Sequence, residues 1–266
     1  MAGLAMRNNE DVMKTCYRIA LWLVMLADLI NTVVGGYASA ITLAHSDGQG
    51  ASVIHGRVIY SGQPAQPQPV TVHRDSKTCG ESLLWDTFKV DPATQGLEGV
   101  VVSVEGIPPS SEALTVREIV LESSRCRFIP RVSATTMGST ITFRNSDPIL
   151  HNAQLFQPNN LLPIHMNVLQ PSKVPDVRKV LTESGTFEVR CNIHPFMHAS
   201  IVVFEHPYFT VTDGTGAFTL QGIPAGNYKL KLWHENLGVT EKVVTVGGDG
   251  STGLTIELKK SDAPRN

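Results

Sequence analysis

Within "FEVRCNIHPFMHASIVVFEH", residues 187–206, a cysteine, two histidines and a methionine fall inside eight positions: Cys191, His194, Met197 and His198. Thiol, imidazole and thioether groups crowded into one loop can ligate a metal, perform thiol catalysis or do neither. Spacing narrows the choice. Cys191, His194 and Met197 recur every third residue, so a compact turn can aim all three side chains at one point. The preceding "GTFEVRC" reads as a strand with Phe187, Val189 and Cys191 on one face, which delivers the thiol on the core side at the strand's end. Forty residues earlier, "FRNSDPILHN" ends a second strand in a polar loop closed by His151.

A β-sandwich readily brings two such loops to the same end of its sheets. Two imidazoles, a thiolate and a thioether then form a His₂Cys plane with a weak axial Met, the ligand set of a blue-copper electron-transfer centre. Two other readings stay open. Cys191, His194 and His198 with His151 have ligand spacing compatible with zinc, and a metal-free loop would simply bury Cys191. Thiol catalysis is weaker, because there is no C-x-x-C and no acid is obviously placed to orient a histidine. His45, His55, His73, His165, His206 and His234 are scattered and read as surface or satisfied residues; His165 and Met166 adjoin in a long loop.

The elements that must position these groups are strands. Beyond residue 50, "SVIHGRVIY", "GVVVSVEG", "STITFRN", "GTFEVRC", "ASIVVFE", "GAFTLQG", "NYKLKLWHE" and "LTIELKK" alternate apolar and polar residues between Gly-, Pro- and Asn-rich turns. The expected class is all-β, sandwich or barrel. Residues 153–180 are proline-broken and read as an extended loop with one short strand or turn. Trp233 is expected in the core of the C-terminal strands. At 266 residues, 42% hydrophobic and 17% charged, the chain has ample core for one large or two small domains. A net charge of −2 provides no field for nucleic acid or anionic membrane.

Near the N-terminus, Lys14 and Arg18 precede the apolar run "IALWLVMLADLINTVVGG", and Ala38-Ser39-Ala40 follows with the small-x-small pattern of signal cleavage. Asp28 and Asn31 interrupt the run, which argues against a retained membrane span. Residues 1–40 therefore read as a signal peptide of a periplasmic or otherwise exported protein. Cys16 leaves with it, so Cys79, Cys126 and Cys191 remain. Cys79 and Cys126 can pair, leaving Cys191 free, with zinc or intermolecular pairing as the alternatives.

At this point the residues resemble a family. "HN" at 151–152, "CNIHPFM" at 191–197 and the upstream "FIPRV…ITFRNSD" are similar to the cupredoxins, amicyanin and plastocyanin in particular, over about eighty residues. The resemblance implies a cupredoxin Greek-key sandwich over 123–206, with His151, Cys191 and His194 as equatorial ligands of one type 1 copper ion and Met197 as the axial ligand. It also implies that Asn152 donates its backbone N–H to the Cys191 sulfur and ties the two loops with its side chain. Amicyanin-like loops often carry Pro where this chain has Ile193. The N–H regained there can donate to the thiolate and raise the reduction potential, so Ile193→Pro is expected to lower it in spectroelectrochemistry.

A second resemblance covers about fifty residues. "VTDGTGAFTLQGIPAGNYKLKLW" is similar to the carboxypeptidase regulatory-like (transthyretin-like) sandwich, placed at 207–266, with residues 41–122 as an N-terminal β segment able to complete it.

Coordination filled by protein leaves no open position for substrate, and the chain has no His-x-His pair for a multicopper oxidase. The expected function is a non-enzymatic electron carrier between periplasmic redox proteins. Its partner would dock on an apolar patch where the His194 ring edge surfaces among Pro195, Phe196, Pro148 and Ile149. The alternatives are a copper-handling protein or a cell-envelope binding module without a redox role.

Overall fold

The computed structural model describes residues 52–64, 66–85, 88–107, 115–157, 166–248 and 250–260, which form two β-sandwiches with separate cores and one small hairpin. Residues 1–40, expected to be a signal peptide, and Cys16, His45 and His165 lie outside these residues. Among the described residues no helix is long and apolar enough to cross a membrane.

The first sandwich is discontinuous in sequence. β1 (Ser52–Tyr60) lies between β15 (Ala217–Ile223), to which it is antiparallel, and β18 (Ser251–Leu258), to which it is parallel. The facing sheet runs β14 (Phe209–Val211), β4 (Val101–Glu105), β16 (Gly226–His234), β17 (Gly238–Val246). N-terminal strands are thus laid into both C-terminal sheets. Alternation sends Ile54, Val58, Val102, Val104, Leu220, Leu230, Leu232 and Ile256 into one core. Turns seal the union, for Gly96 and Gly216 touch backbone to backbone. A Cβ on Gly96 would fall 1.8 Å from the Thr215 carbonyl oxygen, and Gly216 holds φ at +76°. Trp233 does not join this core. It follows Leu232 on the strand and turns to the opposite, half-buried face, while His234 points inward.

The second sandwich begins at β5 (Glu118–Ser124), so the expected boundary between 122 and 123 cuts through a strand. One sheet runs β11 (Val177–Val180), β8 (Thr140–Asn145), β5, β6 (Arg127–Ile129). The other runs β10 (Asn167–Gln170), β9 (His151–Phe156), β12 (Gly185–Arg190), β13 (His198–Phe204), β7 (Val132–Thr136). From β7 to β9 and again from β10 to β12 the chain steps across to the other sheet and back. Segment 153–180 is therefore not the extended loop expected, because it carries most of β9 and all of β10 and β11. All six residues of β9 are buried, so no alternation shows, and the other two strands are four residues each.

Between β1 and β4 the chain makes a separate hairpin of β2 (Gln68–Thr71) and β3 (Ser82–Trp85), with one helical turn, α1 (Ser76–Cys79), at its tip. Its strands join neither sandwich. It is held by the Cys79–Cys126 disulfide, S–S 2.02 Å, and by a hydrogen bond of 3.0 Å from Arg127 Nη2 to the Leu84 carbonyl. Arg131 and Glu235 link the two sandwiches with a two-pronged ion pair at 2.6 and 3.0 Å.

Candidate metal centre

Where β12 ends, Cys191 enters a turn closed by two backbone bonds, Met197 N–H to the His194 carbonyl at 2.9 Å and Cys191 N–H to the Met197 carbonyl at 3.3 Å. The turn returns as β13 and folds Cys191 and Met197 inward. Both are 1% exposed and lie in the same apolar cluster as Phe143, Leu155 and Phe187, with Ile193 and Phe196 packed at its margin. His151 opens β9, the strand paired directly with β12. The sandwich brings the two ends together. One donor atom each from His151, Cys191 and His194 lies within 4.8 Å of the other two, and both rings are fully buried.

Each ring spends one nitrogen on a carboxylate. His151 Nε2 lies 2.9 Å from Asp147 Oδ2, and His194 Nε2 lies 2.9 Å from Asp75 Oδ2. An ionised carboxylate only accepts, so both rings must donate there, leaving Nδ1 as the lone-pair nitrogen. His151 Nδ1 is buried with no hydrogen-bond partner, and His194 Nδ1 stands 3.9 Å from Cys191 Sγ. Trigonal ligation with bonds of about 2.3 Å to sulfur and about 2.0 Å to nitrogen places S and N about 3.7 Å apart. An orphaned buried nitrogen, a second aimed imidazole and a buried free thiol suit a borderline-soft transition metal such as copper or zinc. Burial, its largest influence, lowers the His151 pKa, and the Asp147 hydrogen bond works against it. Burial thus favours the neutral ring, the form that ligation requires.

The zinc alternative with His198 loses its fourth ligand, because His198 belongs to neither donor cluster found among the described residues. It begins β13 instead, its imidazole pKa lowered by burial and by Arg131. The other cluster, Cys126 with Asp147 and His151, has its sulfur committed to the disulfide. Asn152 links the loops through its side chain, which accepts from Asn192 N–H at 3.0 Å and bonds Asn167.

Two expectations need correction. The His194 ring does not surface: it is 0% exposed, and the hairpin lies over the patch meant for docking, with Val72, Cys79 and Leu83 packed on Cys126, Ile149 and Phe196. Only Pro148 and Pro195 of that patch remain exposed. Acids that orient the histidines also exist. Asp147 stood in the quoted "NSDPILH" four residues before its histidine, a spacing that could have flagged it. Asp75 lies 119 residues from His194, and nothing local announces it.

No family model and no curated protein matches the chain. Among solved structures it is similar to the reduced Cu(I) form at pH 4 of a mutant of amicyanin, with 20% identity over 39% of this chain and 98% of that one and a TM-score of 0.28. The purple cupredoxin from Nitrosopumilus maritimus gives 21% identity over 33% of this chain and 99% of that one, with a TM-score of 0.29. The copper-containing nitrite reductase from Thermus scotoductus SA-01 gives 20% identity over 56% of this chain and only 28% of that one, with a TM-score of 0.28. Likeness at this level carries no argument about function, which has to come from the site.

Proposed function

We propose that His151, Cys191, His194 and Met197 hold one type 1 copper ion, and that the chain is an exported, non-enzymatic carrier of single electrons between redox proteins. The observation that carries this reading is the pair of buried imidazoles, each with Nε2 tied to a carboxylate and Nδ1 left for a metal, beside a buried free thiol. Copper, when bound, supplies a one-electron couple. The residues around it hold two rings and a sulfur in fixed orientation and keep water away, which limits rearrangement between oxidation states. Met197 is read as the axial ligand because it is buried in the same cluster as Cys191. A disulfide supports an oxidising compartment, in keeping with export. The first sandwich is read as carboxypeptidase regulatory-like, a spacer or binding module.

Thiol catalysis merits comparison, since Cys191, His194 and Asp75 follow one another like nucleophile, base and orienting acid. Burial argues against it. The cavity of about 340 Å³ beside the loop is lined by Phe196, Met197 and His198 but by neither Cys191 nor His194.

The test is a visible and EPR spectrum of the copper-loaded mature protein. The expected result is strong absorption near about 600 nm from thiolate-to-copper charge transfer, lost in Cys191→Ser. Tight Cu(I) binding without that band would turn the assignment to copper handling.

A further inference from the structure

The Val72–Leu83 segment has features that its own folding does not explain. Asp75 occupies the N-cap of α1, where an aspartate ordinarily accepts a bond from the helix's free N–H groups. Here it makes no side-chain cap bond, and its backbone sits at φ 57°, ψ 30°, a left-handed conformation that costs about 1 kcal/mol for a residue with a Cβ. Its carboxylate is instead directed to His194 Nε2 at 2.9 Å. With one strand on each side and no pairing to either sandwich, the hairpin is too small to hold that position by itself. The disulfide fixes it four residues from Asp75, and Val72 and Leu83 pack beneath.

The anchor point is itself tied to the other histidine. Arg125 and Cys126 form the two-residue turn of the β5–β6 hairpin with φ of 52° and 56°, where glycine or asparagine is usual. Asp147 accepts from Arg125 N–H at 2.7 Å and Cys126 N–H at 2.8 Å, and the same carboxylate meets His151. One disulfide thus has a carboxylate on either side, one for each imidazole.

We propose that residues 72–83 are a disulfide-tethered strap whose Asp75 is the positioning residue for His194: it accepts the hydrogen bond from Nε2–H, turns Nδ1 toward the Cys191 sulfur and seals the ring edge from solvent. This deepens the copper reading and rests on it for its purpose, though not for its geometry. A carboxylate on the imidazole raises the ring's basicity as a ligand and prevents rotation about the Cβ–Cγ bond.

The experiment begins with the metal-free mature protein. Long-range ¹H–¹⁵N NMR should find His194 protonated at Nε2 and bare at Nδ1, and its carbethoxylation by diethyl pyrocarbonate should be slow. Asp75→Ala should mix the two tautomers and speed modification of His194 at least about tenfold, the loss of a contact worth about 1.4 kcal/mol or more. Asp75→Asn, which keeps an acceptor oxygen, should restore the tautomer. A wild-type His194 protonated at Nδ1, or an Asp75→Ala protein with unchanged tautomer and reactivity, would overturn the proposal. Absence of the visible copper band in wild type would defeat the type 1 copper assignment and leave these tautomer results to decide the strap on their own.

Discussion

The two sandwiches bury their strands by the same alternation, and differ in what they do with aspartate. In the first, Asp91 and Asp213 turn back on their own loops. Asp91 Oδ1 accepts from Ala93 N–H, Thr94 N–H and the Thr94 hydroxyl, and Asp213 Oδ1 accepts from Thr215 N–H, the Thr215 hydroxyl and Ala217 N–H. Those hydrogen bonds, led by the threonine hydroxyl, hold both carboxyls below the ordinary pKa. Around the second sandwich, Asp147 holds an imidazole four residues on together with the β5–β6 turn, and Asp75 reaches from the hairpin to an imidazole 119 residues away. A local turn needs no distant partner, and the first sandwich fills its core with hydrocarbon save for the His234 ring. The second keeps a thiol and two rings among its apolar side chains, and it needs the extra hairpin and the disulfide to hold them.

The largest expected effect separates the sandwiches through that disulfide. The link closes a span of 47 residues, for which chain entropy assigns about 4 kcal/mol. Urea unfolding of Cys79→Ser/Cys126→Ser should show a loss of up to that order, centred on the second sandwich, since β4 within the span is held by the first. The sole described tryptophan whose side chain lies on the first sandwich, Trp233, should report an unshifted transition. A uniform shift of both transitions would mean that the two cores unfold as one unit.

Legibility followed the same division. Strands β1, β15, β16 and β18 of the first sandwich could be read because their residues alternate between core and solvent, and "DGTG" and "PAG" mark turns by local chemistry alone. The Cys191 loop was legible for a related reason: three donors at a spacing of three need only one turn to converge. His151 was readable as its partner through strand order. Asp75 was not, because its meeting with His194 depends on a hairpin whose strands are four residues each and whose anchor is a disulfide, and pairing of cysteines is not encoded in spacing. Burial of β9 on both faces hid a strand for want of period. The exposed docking patch failed by the same route: Ile149 and Phe196 look like surface until the hairpin is placed over them.

Of intermediate size is the contrast between the two kinds of aspartate. Asp147→Ala removes the acceptor of two N–H groups in a left-handed turn and the partner of a buried ring at once. A loss of about 3 kcal/mol is expected, since each orphaned buried donor costs about 1 to 3 kcal/mol. Asp213→Ala unsettles one exposed loop and should stay within about 1 kcal/mol. Parallel denaturant titrations at pH 7 compare them, and equal losses would erase the distinction between turn-forming and ring-holding carboxylates.

The smallest effect concerns the one described histidine buried inside the first sandwich. His234 is 2% exposed, packs its ring 5.2 Å from that of Phe88 and accepts from Asn236 N–H at 3.2 Å. Burial, reinforced by Arg131, lowers its pKa to about 4. Buried His151 has Asp147 to work against that shift; no carboxylate is among the causes acting on His234. A histidine whose folded pKa is depressed binds its proton in the unfolded chain first, so stability is intact above the unfolded value of about 6.5 and declines as pH falls toward 4. Between pH 7 and pH 5 the linkage amounts to about 2 kcal/mol. His234→Gln keeps an acceptor for Asn236 but cannot protonate, so the drop in urea stability over that interval should shrink by about that amount. If the drop is unchanged, the acid sensitivity of the chain belongs to the histidines of the second sandwich instead.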